Sequence, residues 1–159
     1  MKWTFASLDE EALSKLGRKL STYVKAGVVF SLSGKLGSGK TTLARAIIRN
    51  ACNGVGDIPS PTLNLVQSYE AVNGFEIWHL DLYRLNSTEE ALMLGLEEAL
   101  IEHCCIIEWP DLIEQIIPSH SIHIQLDFRD RKRSSLSNQR IVTIMTSNPI
   151  MASFDGLYE

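Results

Sequence analysis

The stretch "VVFSLSGKLGSGKTTLARAII", from Val28 to Ile48, decides the fold of this chain. It begins with an apolar, β-branched run typical of a buried strand and ends in an apolar pattern with helical spacing. Between the two lie glycines, a lysine and two threonines that match the spacing G-x-x-x-x-G-K-[ST]. A strand, a glycine-rich turn and a helix in this order predict a loop that binds phosphate groups.

The chemistry of this loop follows from its residue types. Glycine adopts backbone angles closed to other residues, so that successive N–H groups converge on an anion, and the following helix adds its partial positive charge. We expect Lys40 to reach the outer phosphates of a nucleoside triphosphate and the Thr41 hydroxyl to bind magnesium. The alternative, a glycine-rich turn that matches by chance, is disfavoured by the strand and helix on either side.

A phosphate loop needs a nearby acid before it can catalyse phosphoryl transfer. Two acids end apolar runs: Asp81 in "FEIWHLDLYRL" and Glu108 in "CCIIEWPD". At strand ends beside the loop, these carboxylates are predicted to hold the metal directly or through water. The alternative for each is an exposed carboxylate at a strand end. His79, close to Asp81, is interpreted as a packed strand residue rather than a base.

Composition limits the possible functions. The chain has 159 residues, of which 45% are hydrophobic and 21% charged, as expected for one globular domain. A net charge of −4 gives no general basic surface for nucleic acid. No apolar run approaches the roughly 18 residues that span a bilayer, and the acidic start is unlike a signal peptide. These features predict a cytoplasmic protein that is not bound to a membrane.

The remaining patterns alternate between helices and strands, which favours an α/β fold with a mixed sheet. Ser7 with Glu10, and Ser87 with Glu90, match the capping box that opens a helix. Cys104 and Cys105 lack a metal-ligand spacing and are interpreted as buried strand residues. Predicted helices cover residues 8–26, 41–52, 88–103 and 111–117; predicted strands cover 28–33, 104–109, a hairpin of 63–69 and 75–82 around Asn73-Gly74, and a second pair at 121–128 and 140–145.

Four segments together resemble the TsaE (YjeE) family: "GKLGSGKTTLAR", "SPTLNLVQSY", "HLDLYRL" and "IIEWPD". The phosphate loop is shared with many families, whereas the other three segments at these intervals are much more specific. The resemblance covers about residues 5–146, and we treat residues 147–159 as a C-terminal tail of the same single domain. It implies a P-loop NTPase fold, that is, a mixed central β-sheet flanked by helices.

The resemblance also implies a function. Members of this family are small bacterial ATPases with weak intrinsic hydrolysis, required for the threonylcarbamoyladenosine modification of tRNA. They use ATP and Mg²⁺ and act with the TsaB and TsaD subunits, so that contact with tRNA is expected to be indirect.

Site residues carry over from the family position by position. Thr41 and Glu108 are expected at the magnesium ion, Asp81 near the γ-phosphate, and Trp109 in the wall of the site. Ser60-Pro61-Thr62 is expected to form a switch-like loop with Thr62 facing the nucleotide. Catalysis is therefore assigned to Lys40, Asp81 and Glu108, and nucleotide binding to Gly37, Ser38, Gly39, Lys40, Thr41, Thr42 and Thr62.

Two departures from the family pattern stand out. Lys35 and Ser38 occur where the family commonly has "GDLGAGKT", which reverses a charge near the phosphates. The segment "RDRKRSSLSNQR", residues 129–140, is longer and more basic than expected. It is interpreted as a solvated hairpin loop, or alternatively as a place where Arg129, Arg131 or Arg133 contacts phosphate, tRNA or a partner.

Three other functional classes compete with this interpretation. A small-molecule P-loop kinase has a similar length, and "RDRKR" could imitate its arginine-bearing lid, but the segment follows the last helix and lies between two strands. A GTPase is disfavoured because no N-K-x-D motif occurs. An interaction module with a vestigial loop is disfavoured because Lys40, Thr41, Asp81 and Glu108 are all present.

Overall fold

A computed structural model describes residues 1–129 and 139–155, and the account below concerns those residues. Strands and helices alternate along the first two thirds of the chain, and two strands follow. The strands are β1 (Lys2–Leu8), β2 (Val29–Gly34), β3 (Val66–Glu70), β4 (Glu76–Asp81), β5 (Cys104–Glu108), β6 (Ile122–Phe128) and β7 (Arg140–Met145); the helices are α1 (Glu10–Ser21), α2 (Lys40–Ala51), α3 (Thr88–Leu92) and α4 (Leu96–Glu102).

The strands form a single mixed sheet in the order β1-β7-β6-β2-β5-β4-β3. The four central strands, β6, β2, β5 and β4, run parallel, and the outer strands pair antiparallel. This arrangement confirms the predicted α/β fold. Because the carboxyl ends of parallel strands meet at one edge, the ends of β2, β4 and β5 bring their side chains together there.

Apolar side chains pack on both faces of the sheet. Helices α1 and α2 cover one face, and α4 covers the other. Alternate residues of β2 serve the two layers: Phe30 packs in the first cluster and Val29 in the second. The contact between α1 and α2 is close, because a Cβ built on Gly17 would overlap the Cβ of Ala46. The helix that carries the phosphate loop is therefore tightly supported from behind.

Several local predictions are confirmed. Strands β3 and β4 form the antiparallel hairpin expected around Asn73-Gly74. Ser87 Oγ accepts a hydrogen bond from the Glu90 N–H, as its capping position predicts. Cys104 and Cys105 are fully buried in β5, and this burial raises the pKa of the Cys105 thiol to about 12.

In the described ranges, no helix is long and apolar enough to cross a bilayer.

The N-terminal prediction is wrong. Residues 2–8 form strand β1, and α1 begins at Glu10 with Asp9, rather than Ser7, as its N-cap. Asp9 Oδ1 accepts the Ala12 N–H at 2.8 Å. The helix also ends at Ser21 rather than at residue 26. The local pattern gave the wrong prediction because β1 is stabilised by antiparallel pairing with β7, which lies far away in the chain.

Two further helix predictions are corrected. The helix expected over residues 88–103 is two short helices, α3 and α4, separated where Gly95 adopts a φ of 83°. The helix expected over 111–117 is a 3₁₀ turn at Pro110–Ile113. Within the basic segment, Arg131 and Arg133 lie outside the described residues. Arg129 Nη1 donates to Gln139 Oε1 at 3.2 Å, across the base of the β6–β7 connection.

Candidate functional site

The phosphate loop connects the end of β2 to the start of α2 and lies at the carboxyl edge of the sheet. Gly39 is the N-cap of α2 and has a φ of 105°, a backbone conformation that residues with a side chain rarely adopt. A Cβ there would also approach Leu13 Cδ2 to 2.8 Å. Glycine is therefore required at this position both by the backbone angle and by the packing of α1.

Lys40 is buried at the base of the loop. Its ammonium group donates to the carbonyl oxygens of Gly34 at 2.7 Å and Lys35 at 3.0 Å, and it lies 3.9 Å from the centre of the Trp109 ring. Burial lowers the pKa of Lys40, while the nearby carboxylates Glu108 and Asp81 oppose this shift. The loop thus holds a cation in a partly dehydrated position, where an anion is attracted strongly.

Glu108 is buried at the end of β5, and its two carboxylate oxygens have different partners. Oε2 accepts a hydrogen bond from the Thr41 hydroxyl at 2.9 Å, which links the strand to the first turn of α2. Oε1 lies 2.8 Å from Nε2 of His79, whose side chain is fully buried. Sequence reasoning treated His79 only as a packed residue. The H-x-D spacing, which places His79 and Asp81 on the same face of β4, was the available signal.

Asp81 ends β4 directly beside Glu108, since the two residues are paired in the register of β4 and β5. Its Oδ2 accepts a hydrogen bond from the Thr62 hydroxyl at 2.9 Å, and Oδ1 accepts the Tyr83 N–H at 3.0 Å. Thr62 also shares a 2.7 Å contact with the Ser60 hydroxyl. The Ser60-Pro61-Thr62 segment therefore reaches the same edge of the sheet as the phosphate loop.

Trp109 forms part of the wall of the pocket, in an unusual backbone conformation. Its φ of 58° and ψ of 60° are left-handed, which is uncommon for a residue with a large side chain. Its ring packs against Tyr83, with the ring centres 4.8 Å apart. The Trp109 ring in turn lies against the Lys40 ammonium, so Tyr83 supports the ring that contacts this cation.

Arg140, the first residue of β7, also reaches the phosphate loop. Its Nε donates to the Ser38 carbonyl oxygen at 2.9 Å. Sequence reasoning placed possible phosphate contacts on other arginines of the basic segment and did not single out Arg140. Its position where the basic run meets the alternating strand was the available signal. Lys35, whose charge departs from the family pattern, is exposed.

A single concave pocket brings most of these groups together. The Ser38 side chain is an exception among the predicted nucleotide contacts, because it is buried beneath the loop. The pocket is lined by Leu36, Gly37, Gly39, Lys40, Thr41, Thr42, Thr62, Asp81, Tyr83, Glu108, Trp109 and Arg140. Two cationic side chains, backbone N–H groups at a helix N-terminus, two carboxylates and three threonine side chains in one pocket can hold an anion and a hard metal ion together.

Known proteins share sequence with this chain along most of its length. Residues 7–136 match the family model described as "Threonylcarbamoyl adenosine biosynthesis protein TsaE". A relative from Rickettsia felis, named tRNA threonylcarbamoyladenosine biosynthesis protein TsaE, is 38% identical over 149 residues, covering 94% of this chain and 83% of its own. A relative of the same name from Bacillus subtilis is 31% identical over 129 residues, covering 78% and 75%.

The fold has a counterpart among solved structures. The crystal structure of Bacillus subtilis YdiB superposes with a TM-score of 0.71 and covers 92% of this chain and 86% of its own. At 22% sequence identity, this match supports the fold alone. The family match extends over most of the chain and includes the phosphate loop, both carboxylates and the Ser60-Pro61-Thr62 segment. This chain therefore belongs to the TsaE family and has its P-loop fold.

Proposed function

We propose that this protein binds ATP with magnesium, hydrolyses it slowly, and acts in the cytoplasm with TsaB and TsaD in the threonylcarbamoyladenosine modification of tRNA. Its membership of the TsaE family supports the pathway, because the relatives are named for that biosynthesis. One observation carries the proposed hydrolysis: a phosphate loop lies beside two carboxylates, each of which accepts a hydrogen bond from a threonine hydroxyl.

The residues present fit a magnesium ion. Magnesium prefers oxygen donors and is usually held by one or two protein groups together with substrate phosphates and water. Thr41 and Glu108 supply a hydroxyl and a carboxylate 2.9 Å apart at the head of α2. Within residues 1–129 and 139–155, no group of three or more His, Cys, Asp or Glu side chains is placed to hold a metal ion, so phosphate and water would have to complete the ligand set. When bound, the ion would neutralise charge on the outer phosphates.

The side chains of the pocket have distinct roles in this proposal. Backbone N–H groups from Gly37 to Thr42 hold the phosphates, and the Lys40 ammonium exchanges its loop carbonyls for phosphate oxygens. The carboxylate of Asp81 accepts a hydrogen bond from the attacking water and orients it toward the γ-phosphate. Arg140 adds positive charge to the opposite wall. Thr62 contacts the nucleotide from its loop and reports whether the γ-phosphate is present.

We propose that ATP hydrolysis controls how tightly this protein binds its partners. A loop that is ordered by the γ-phosphate and released after hydrolysis changes the surface of a protein. We therefore expect the TsaB–TsaD complex to bind the ATP form more tightly than the ADP form and to accelerate hydrolysis. With a net charge of −4, the isolated chain should bind tRNA weakly and in a salt-sensitive manner.

The decisive experiment measures ATP hydrolysis by the purified chain alone, with TsaB and TsaD, and with both partners plus tRNA. We expect slow hydrolysis alone, faster hydrolysis with the partners, and modified tRNA only when the chain is present. Equal affinity of the partner complex for the ATP and ADP forms would refute the switch. Phosphorylation of a small acceptor, with no response to TsaB and TsaD, would favour the kinase alternative instead.

A further inference from the structure

Among the described residues, His79 is a buried histidine that contacts one of the proposed catalytic acids, Glu108. It lies on β4, two residues before Asp81, and its side chain is fully buried. Its Nε2 lies 2.8 Å from Glu108 Oε1. Buried polar side chains need hydrogen-bond partners, and a buried ionised carboxylate needs them most. The contact therefore satisfies one oxygen of Glu108 from the interior of the sheet.

The two oxygens of Glu108 are held from opposite sides. Oε1 is held by His79 within the sheet, and Oε2 accepts the Thr41 hydroxyl at the head of α2. With Oε1 engaged, rotation of the carboxylate is blocked and Oε2 stays on the side of the phosphate loop. If the imidazole were removed, Oε1 would lose its donor inside the core, and Oε2 could turn inward to replace it.

The imidazole itself has little else to bind. Within the described residues, Nδ1 of His79 has no hydrogen-bond partner, and the ring makes its hydrogen bond to Glu108 through Nε2. A carboxylate accepts hydrogen bonds, so Nε2 is the ring nitrogen that donates in this contact. The position thus orients an N–H donor toward a single carboxylate oxygen.

We propose that His79 is a positioning residue that acts through Glu108, keeping Oε2 directed toward Thr41 and the magnesium ion. This inference rests on the proposed function, since it concerns how tightly magnesium is held with ATP. A hydrogen-bond partner behind a metal ligand commonly changes metal affinity or activity by about 10- to 100-fold when it is lost. His79 is not among the residues that line the pocket, so its effect should belong to the magnesium-dependent part of ATP binding.

The test compares His79→Leu, which removes the donor and keeps an apolar side chain, with His79→Gln, whose amide N–H can take the place of Nε2. ATP affinity is measured with magnesium and with EDTA, using a fluorescent ATP analogue that is not hydrolysed. We expect His79→Leu to reduce the magnesium-dependent gain in affinity by roughly tenfold or more. Affinity in EDTA should be unchanged, and His79→Gln should restore most of the gain.

His103→Leu is the matched control. His103 lies 3.8 Å from a carboxylate oxygen of Glu76 and stacks on Trp78, away from the phosphate loop. Its loss should leave the magnesium dependence unchanged. A folded His79→Leu variant with the wild-type ratio of affinities would overturn the inference. If the wild-type chain itself shows no magnesium-dependent ATP binding, the proposed function fails as well.

A measurement on the wild-type side chain covers the case in which His79→Leu does not fold. Nitrogen NMR of the labelled imidazoles, assigned by replacing His103, His120 and His123 in turn, reports which ring nitrogen of His79 carries the proton. We expect the proton on Nε2, and a shift of that resonance when magnesium is added to the protein bound to the ATP analogue. An Nε2 that carries no proton, or a resonance that ignores magnesium, would contradict the proposal.

Discussion

Two threonine–carboxylate pairs lie side by side in the pocket, and they differ in what holds them. Thr41 with Glu108 joins the first turn of α2 to the end of β5, and the buried His79 holds the other oxygen of the acid. Thr62 with Asp81 joins a segment without helix or strand to the end of β4. The hydrogen-bond distances are both 2.9 Å, so geometry at the bond does not distinguish the pairs.

The difference lies in the support behind each hydroxyl. Thr41 belongs to a helix that packs closely against α1, whereas Thr62 belongs to a loop anchored upstream where Arg45 Nε donates to the Ile58 carbonyl at 2.6 Å. In the proposed mechanism, the Thr41–Glu108 pair is therefore the one held in place for magnesium binding. The Thr62–Asp81 pair is the one that breaks more easily and so can respond to the γ-phosphate.

Removing the cation that both pairs face should have the largest effect. Lys40→Ala removes charge-assisted contacts to phosphate worth about 1.5–3 kcal/mol each, so ATP affinity should fall roughly 1000-fold. The polar contacts of Lys40 are to loop carbonyls, so the fold should survive. Calorimetric titration with ATP, together with thermal unfolding, measures both. Unchanged ATP affinity in the folded variant would mean that the pocket is not the nucleotide site.

Removing the fixed acid should come next. Glu108→Ala should abolish the magnesium dependence of ATP affinity and reduce hydrolysis by on the order of 1000-fold, because a pre-organised charge is lost from a buried site. Phosphate release assays and ATP titrations with and without magnesium check this. Wild-type hydrolysis in this variant would show that Glu108 is structural.

Neutralising the other acid should separate binding from turnover. Asp81→Asn keeps one carbonyl oxygen to accept the Tyr83 N–H, and its amide NH₂ can donate to the Thr62 hydroxyl, so ATP affinity should stay within about threefold of wild type. Hydrolysis should fall by about 100-fold, since the group that orients water loses its charge. If Asp81→Asn loses affinity and turnover together, the two acids do not have distinct roles.

The smallest effect on hydrolysis should come from a change in the Ser60-Pro61-Thr62 segment. Thr62→Val removes the hydroxyl that Asp81 binds and preserves the shape of the side chain, so hydrolysis should fall about tenfold with little change in ATP affinity. Thr41→Val is the matched comparison and should also weaken magnesium-dependent binding. Equal losses of hydrolysis and of magnesium-dependent ATP binding in the two variants, measured under the same conditions, would contradict the proposed difference between the two threonine–carboxylate pairs.

The parts of the fold that could be predicted are those in which sequence and structure are local. The phosphate loop, the β3–β4 hairpin and the Ser87 cap each depend on residues close together in the chain. Strand β1 could not be found in this way, because its partner β7 lies well over a hundred residues away. The local match at Ser7 and Glu10 therefore led to the prediction of a helix from residue 8, because the pairing of β1 with β7 leaves no pattern in the nearby sequence.

The residues of the candidate site also separate into those that the local sequence predicts and those that depend on the arrangement of the strands. Lys40, Thr41, Asp81 and Glu108 were identifiable because each ends or begins a recognisable element, and the structure brings them into one pocket. The contacts of His79 and Arg140 depend on which strands become neighbours. The order β7-β6-β2-β5-β4 places β5 beside β4 and brings β7 within reach of the phosphate loop, and no periodicity in the sequence specifies it.

The close contact between Gly17 and Ala46 has a consequence for how natural variants of this protein should be judged. Any side chain at position 17 would force α1 away from α2, and α2 begins with Lys40. A survey that scores only residues in the wall of the pocket would rate Gly17→Ser as harmless. The packing instead predicts that Gly17→Ser shifts α1 against α2 and so disturbs Lys40 and the phosphate loop from behind.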